Sequence, residues 1–149
     1  MTVYNFIEIY NETFKYIEKE YGAEAVKDLW QTISAQWCVH LDDLVREKGL
    51  EGMVEYWAGN GGTLGREKAV YEISLQDGVL AGIMHKCPSV GELIERNRKI
   101  YHGELNYCNH CLALYGPVAN RYSFEMLWNI DTDEAGRCTG KCSWTSYKK

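Results

Sequence analysis

Residues 2–21 carry Val3, Phe6, Ile7, Tyr10, Phe14, Ile17 and Tyr21 at helical spacing, while Glu8, Glu12, Lys15 and Lys19 fall on the other side. Thr2 can accept the free N–H groups at the start, and Gly22 can stop the helix. A second amphipathic pattern runs from about Ala23 to Lys48, with Val26, Leu29, Trp30, Ile33, Trp37, Leu41 and Leu44 on one face. Arg46 and Lys48 suit its negative end, and Gly49 its stop. Two long helices joined by a tight turn predict an antiparallel pair. A short third helix, about Leu50 to Ala58, carries Met53, Val54 and Trp57. The run Gly59-Asn60-Gly61-Gly62-Thr63-Leu64-Gly65 follows a helix and lacks the Gly-Lys-Ser/Thr ending of a phosphate loop. It reads as a flexible connector.

From Lys68 the period changes to two. Ala69, Tyr71, Ile73 and Leu75 alternate with Val70, Glu72 and Ser74, then Gln76-Asp77-Gly78 turns the chain and Val79 to Lys86 returns. Asp-Gly between two such runs predicts a hairpin. Pro88 stops the return strand after Cys87. Ser89 and Glu92 have the spacing of a capping box, opening a helix to about Tyr101. A further helix is expected over about Leu105 to Ala119, weakened near its end by Pro117. Arg121 to Ile130 reads as a strand, Asp131 to Gly136 as a loop, and Lys141 to Tyr147 as a last strand. No internal repeat or linker interrupts residues 1–149. The order predicts a single α+β domain: an N-terminal helical pair, then an antiparallel sheet of about four strands with helices packed on it.

The 149-residue length suits one domain, and the 46% hydrophobic and 25% charged fractions are ordinary for a soluble chain. Eleven Tyr and five Trp supply rings for an aromatic core or a ring-lined pocket. The net charge of -5 argues against nucleic acid, because the only basic cluster is Arg96, Arg98 and Lys99. No apolar run approaches the roughly 20 residues that span a membrane. Met1 to Phe6 shows neither the basic start nor the apolar core of a signal peptide. The expectation is a cytoplasmic protein acting on a small molecule. In that compartment clustered thiols read as metal ligands or nucleophiles, not disulfides. The aromatic helices also leave room for a homodimer interface.

The chemistry gathers around Tyr107-Cys108-Asn109-His110-Cys111. Cys108 and Cys111 share a helix face by the three-residue spacing, and His110 points about 100° away from Cys111. Cys87 stands at a strand end, and Cys138 and Cys142 bracket the start of the last strand. Strand ends and a helix end can converge, and three or four thiolates satisfy zinc tetrahedrally. Cys87, Cys108, Cys111 and Cys142 are the expected zinc ligands, with an iron–sulfur cluster as the alternative use of four thiolates. The gap between Cys111 and Cys138 is too long for a zinc ribbon. Cys38 reads as a small buried hydrophobe. His85 precedes Cys87 by two residues, so a regular strand puts both on one face. His85 and His110 are the candidate proton carriers. His40, one turn before Asp43, reads as a core-edge histidine, and His102 as a charge at a helix end.

At Cys87-Pro88, Tyr107 to Cys111 and Gly140-Lys141-Cys142-Ser143-Trp144 the chain resembles the L-2-amino-thiazoline-4-carboxylic acid hydrolase family. Its last segment is also similar to 4-vinyl reductase-type small-molecule-binding domains, which can hold zinc through cysteines. The layout covers most of residues 1–149, and the motif matches about twenty of them. The resemblance implies hydrolysis of a cyclic C–N bond in a small thiazoline carboxylate, opening it to N-carbamoyl-cysteine. It implies a shared site of Cys87, one of Cys108 or Cys111, and Cys142. The family more often ends Gly-Asp-x-x-Cys-x-Phe, whereas here Lys141 precedes Cys142 and Cys138 is extra. Two chemistries fit these residues. A cysteine-held metal would acidify a bound water and polarise the ring C=N, with His110 or His85 moving the proton. Alternatively, one thiolate among Cys87 and Cys108 acts as a nucleophile activated by a histidine. A zinc-stabilised ligand-binding or sensor domain is the rival to both.

Overall fold

A computed structural model describes residues 2–149. The helices are α1 (Val3–Tyr21), α2 (Ala23–Trp37), α3 (Val39–Lys48), α4 (Leu50–Ala58), the single turn α5 (Thr63–Arg66), α6 (Val90–Glu95) and α7 (Asn109–Arg121). The strands are β1 (Val70–Gln76), β2 (Val79–Lys86), β3 (Phe124–Thr132) and β4 (Cys138–Lys148). They form one antiparallel sheet in the order β1-β2-β4-β3, so the fold is α+β as the patterning predicts. No helix among the described residues is long and apolar enough to cross a membrane.

Thr2 caps α1 through a full capping box with Asn5. The β1–β2 turn places Asp77 and Gly78 at positive φ, the geometry that Asp-Gly favours. Four expectations fail. The helix expected over Ala23 to Lys48 breaks at Cys38, which has φ −82° and ψ 22°. There α7 captures the chain: the Ser34 hydroxyl donates to the Leu114 carbonyl at 2.6 Å, and the Cys38 thiol leans on the same oxygen. The helix expected to reach Tyr101 ends at Glu95, because Asn97 turns to positive φ and the Arg98 N–H bonds back to the Leu93 carbonyl. The expected box at Ser89 does not form, since its side chain makes no cap bond. The helix expected from Leu105 starts only at Asn109, because residues 96–108 wrap as a loop against α1.

Asn11 on α1 holds that loop. It is fully buried, accepts the Tyr101 N–H at 2.7 Å and donates to the Lys99 carbonyl at 3.0 Å. Leucine at this position would fill the space and leave both backbone groups unpaired. Asn11→Leu is expected to lose about 3 kcal/mol of stability, measured by urea unfolding.

Two cores result. One lies under the sheet and is built from Leu41, Met53, Trp57, Leu80, Val118 and Trp144. The other joins α1 and α2 to the loop through Phe14, Val26, Trp30, Leu93, Tyr101 and Tyr107. Cys87 packs against both.

Candidate functional site

Cys87 leaves β2 and is tied to β4, its N–H donating to the Gly140 carbonyl at 2.9 Å. Its own carbonyl accepts the Gly91 N–H, which closes a tight turn into α6. Pro88 lets the chain turn here because no strand pairing needs its nitrogen. The backbone N–H groups of Val90, Ser89 and Gly91 lie on the side of the Cys87 sulfur, although the Gly91 N–H is given to the Cys87 carbonyl. Burial still dominates and raises the thiol above its ordinary value, while these donors pull it back.

Cys111, on the first turn of α7, feels the same neighbourhood. Burial raises its thiol first, and potential negative charge on Cys87, Cys142 and Cys138 adds to that. Cys142, on the inner face of β4, is pushed up to about 11 by burial, against a contact from the Trp128 indole. Cys108 and Cys138 form a separate pair. The two thiols act on each other's ionisation, which holds Cys138 below its usual value and drives Cys108 up, and the Cys138 thiol donates to Asn106 Oδ1. Cys87, Cys111 and Cys142 thus share one neighbourhood, and Cys108 with Cys138 forms a second beside it.

Convergence stops short of a metal site. Among the described residues no three His, Cys, Asp or Glu side chains stand close enough to hold one ion. Cys108 stands beside Cys138 and occupies the cap position of α7 rather than sharing a helical face with Cys111. As arranged, Cys87, Cys108, Cys111 and Cys142 do not fit a zinc ion or a cluster.

His110 is in the neighbourhood and His85 is not. His85 is exposed on the outer face of the sheet, bonded to Glu72 at 2.9 Å, whereas Cys87 lies past the strand and inside. Strand alternation ends at Lys86, so the two-residue spacing no longer puts both on one face. His110 sits among Tyr10, Phe14, Trp30 and Tyr107. Its Nδ1 lies 2.6 Å from the Tyr107 carbonyl, an oxygen that can only accept, so Nδ1 carries the hydrogen and Nε2 is a free lone pair. The Cys111 sulfur is 4.0 Å from Nδ1. His40 is exposed, its expected partner Asp43 pairs with Arg46, and His102 bridges to Asn106.

Burial lowers His110 to about 4, against the Tyr107 hydrogen bond. The unfolded chain takes this proton first, near pH 6.5, so it binds more protons than the folded chain between about 6.5 and 4. Stability is therefore expected to fall by about 3 kcal/mol as pH drops through that window, from this group alone. His110→Phe should flatten this part of the profile in urea unfolding at pH 7.5 and 4.5.

Glu67 is a site residue that periodicity gave no reason to single out. It caps the end of α5 and is exposed, and partial desolvation by its neighbours raises its carboxyl above the ordinary value despite Arg66 beside it. It acts electrostatically on Cys87, Cys111 and Tyr115. Cys87, His110, Cys111, Tyr115 and Cys142 keep part of their surface although burial dominates their ionisation. Desolvation therefore keeps these thiols, the imidazole and the phenol uncharged near neutral pH. No family model matches the chain, and neither a curated protein nor a solved structure matches it.

Proposed function

We propose that the chain is a small-molecule hydrolase that works without a metal. The Cys87 thiol is the nucleophile, and a thiazoline-type carboxylate is the substrate class. The observation that carries this reading is the Cys87 sulfur set against three backbone N–H groups. Negative charge developing on that sulfur, or on an atom bonded to it, is favoured by the nearby N–H dipoles.

Atom balance corrects the bond that breaks. N-carbamoyl-cysteine keeps both nitrogens on the former ring carbon and carries a free thiol, so ring opening cleaves C–S, not C–N. Cys87 adds to the C=N carbon, the ring C–S bond breaks, and the Cys87 proton passes to the departing sulfur. This leaves an S-linked isothiourea on Cys87. Water adds to its central carbon and the Cys87 thiol departs with a proton, giving the urea product. The sum is substrate plus one water. His110 Nε2 is the unprotonated acceptor that can relay the water's proton. His85, bonded to Glu72 on the opposite face, has no part in this scheme.

A second reading, a ligand-binding domain, is favoured by a different observation. The indole N–H groups of Trp30 and Trp144 are buried without a protein acceptor, and that of Trp128 has only the weakly accepting Cys142 sulfur beside it. Such donors are costly unless something satisfies them, and a bound molecule with oxygen acceptors would do so. The test is incubation with 2-aminothiazoline-4-carboxylate, followed by mass spectrometry for N-carbamoyl-cysteine. Catalytic appearance of product supports the hydrolase. A raised melting temperature with no product supports the binding domain.

A further inference from the structure

Cys108 and Cys138 are buried members of the core that joins α1 and α2 to the loop. They reach each other from opposite ends of the α7–β3–β4 unit, Cys108 capping α7 and Cys138 opening β4. A single amide oxygen pins both: Asn106 Oδ1 takes the Cys138 thiol at 3.1 Å and the Cys108 N–H at 3.1 Å. Asn106 is itself held, its N–H donating to Asn109 Oδ1 at 2.8 Å. Both cysteines are nearly enclosed, at 8% and 4% exposure, so a protein thiol or disulfide has no route to them. The other thiols lack this arrangement. Cys38 leans on the Leu114 carbonyl, and Cys111 faces the His110 ring.

We infer that Cys108 and Cys138 form a dithiol that a small peroxide closes to an internal disulfide, a modification site separate from the nucleophile proposed at Cys87. Of the two, Cys138 is the thiol held below its usual value, so Cys138 is the sulfur that attacks and Cys108 the sulfur that resolves. The Cys138 thiol loses its proton, the thiolate attacks a peroxide oxygen, the O–O bond breaks, and the released hydroxide takes up that proton and leaves as water. Cys138 becomes a sulfenic acid. The Cys108 sulfur then attacks the Cys138 sulfur. An S–S bond forms, the S–O bond breaks, and the hydroxide leaves with the Cys108 proton as a second water. Two thiols are oxidised and one peroxide is reduced. The closed bond ties the start of α7 to the start of β4, a loop of 30 residues by difference (138 − 108).

The test uses the full chain, treated with a small excess of hydrogen peroxide, alkylated, digested and mapped by mass spectrometry. The expected result is a Cys108–Cys138 cross-linked peptide, two hydrogens lighter and restored by dithiothreitol. It should form before any other disulfide and be accompanied by a higher melting temperature. Cys108→Ala should leave Cys138 as a sulfenic acid that dimedone traps. Cross-links among Cys87, Cys111 and Cys142 appearing first would overturn the inference. So would six thiols that all remain alkylatable, or sulfenic acid trapped on Cys108 in place of Cys138.

Discussion

Gly52→Ala is expected to destabilise the folded chain by about 3 kcal/mol, enough to halve or abolish soluble yield for a domain of ordinary stability. Gly52 lies on α4 where it crosses α3, and it is buried. A Cβ at this position would lie well inside 3.0 Å of the Leu44 carbonyl oxygen and carbon. The obstruction is backbone, not the tip of a side chain, so no rotamer change relieves it. Relief requires α3 and α4 to separate, and that opens the core around Leu41, Leu44, Met53 and Trp57. Alanine is otherwise the better helix former by about 1 kcal/mol, so intrinsic propensity alone predicts the opposite sign. Urea unfolding of Gly52→Ala beside Gly65→Ala, a glycine with open space around it, separates the two effects. Equal midpoints for the two variants would contradict the close crossing.

Cys87→Ser is expected to lower the rate of N-carbamoyl-cysteine formation by roughly a thousandfold or more, the scale on which loss of a nucleophile acts. Serine keeps the size and still stands beside the N–H groups of Ser89, Val90 and Gly91. Its hydroxyl is a far weaker acid than a thiol, so the three donors cannot make it a nucleophile at neutral pH. Cys111→Ser and Cys142→Ser change neutral lining groups and are expected to keep activity within about tenfold. Quenching the wild-type reaction should leave the isothiourea on the Cys87 peptide, visible by mass. Melting temperature separates a lost nucleophile from a lost fold, because Cys87 packs against both cores. Full activity in a folded Cys87→Ser protein would remove the nucleophile from the scheme while leaving the binding reading intact.

The candidate site was legible in unequal parts. Free cysteines clustered late in the chain, and strand ends near a helix start, were enough to expect that thiols converge. Which thiol faces which was not. Three-residue spacing puts Cys108 on a helical face with Cys111, but α7 begins one residue later, and the loop held by Asn11 and Asn106 sets Cys108 beside Cys138. His85 and Cys87 were paired by strand alternation, which fails once the chain leaves β2. Glu67 and the three Cys87 donors left no trace, since neither a solitary carboxylate nor a backbone N–H has a periodicity to read.

The sequence by itself determined the element types, the Asp-Gly hairpin, the Thr2 cap, the α+β class and the neighbourhood of the chemistry. These depend on spacing within one segment, where side chains i, i+2 or i+3 must share a face whatever surrounds them. The tertiary structure alone decided where helices stop, which thiols are partners, and that the thiols, His110 and the buried tyrosines stay uncharged near neutral pH. Those outcomes depend on groups far apart in the chain, such as Leu114 at Cys38 or Asn11 at Tyr101. They also depend on desolvation, which exists only once the fold has closed around the group.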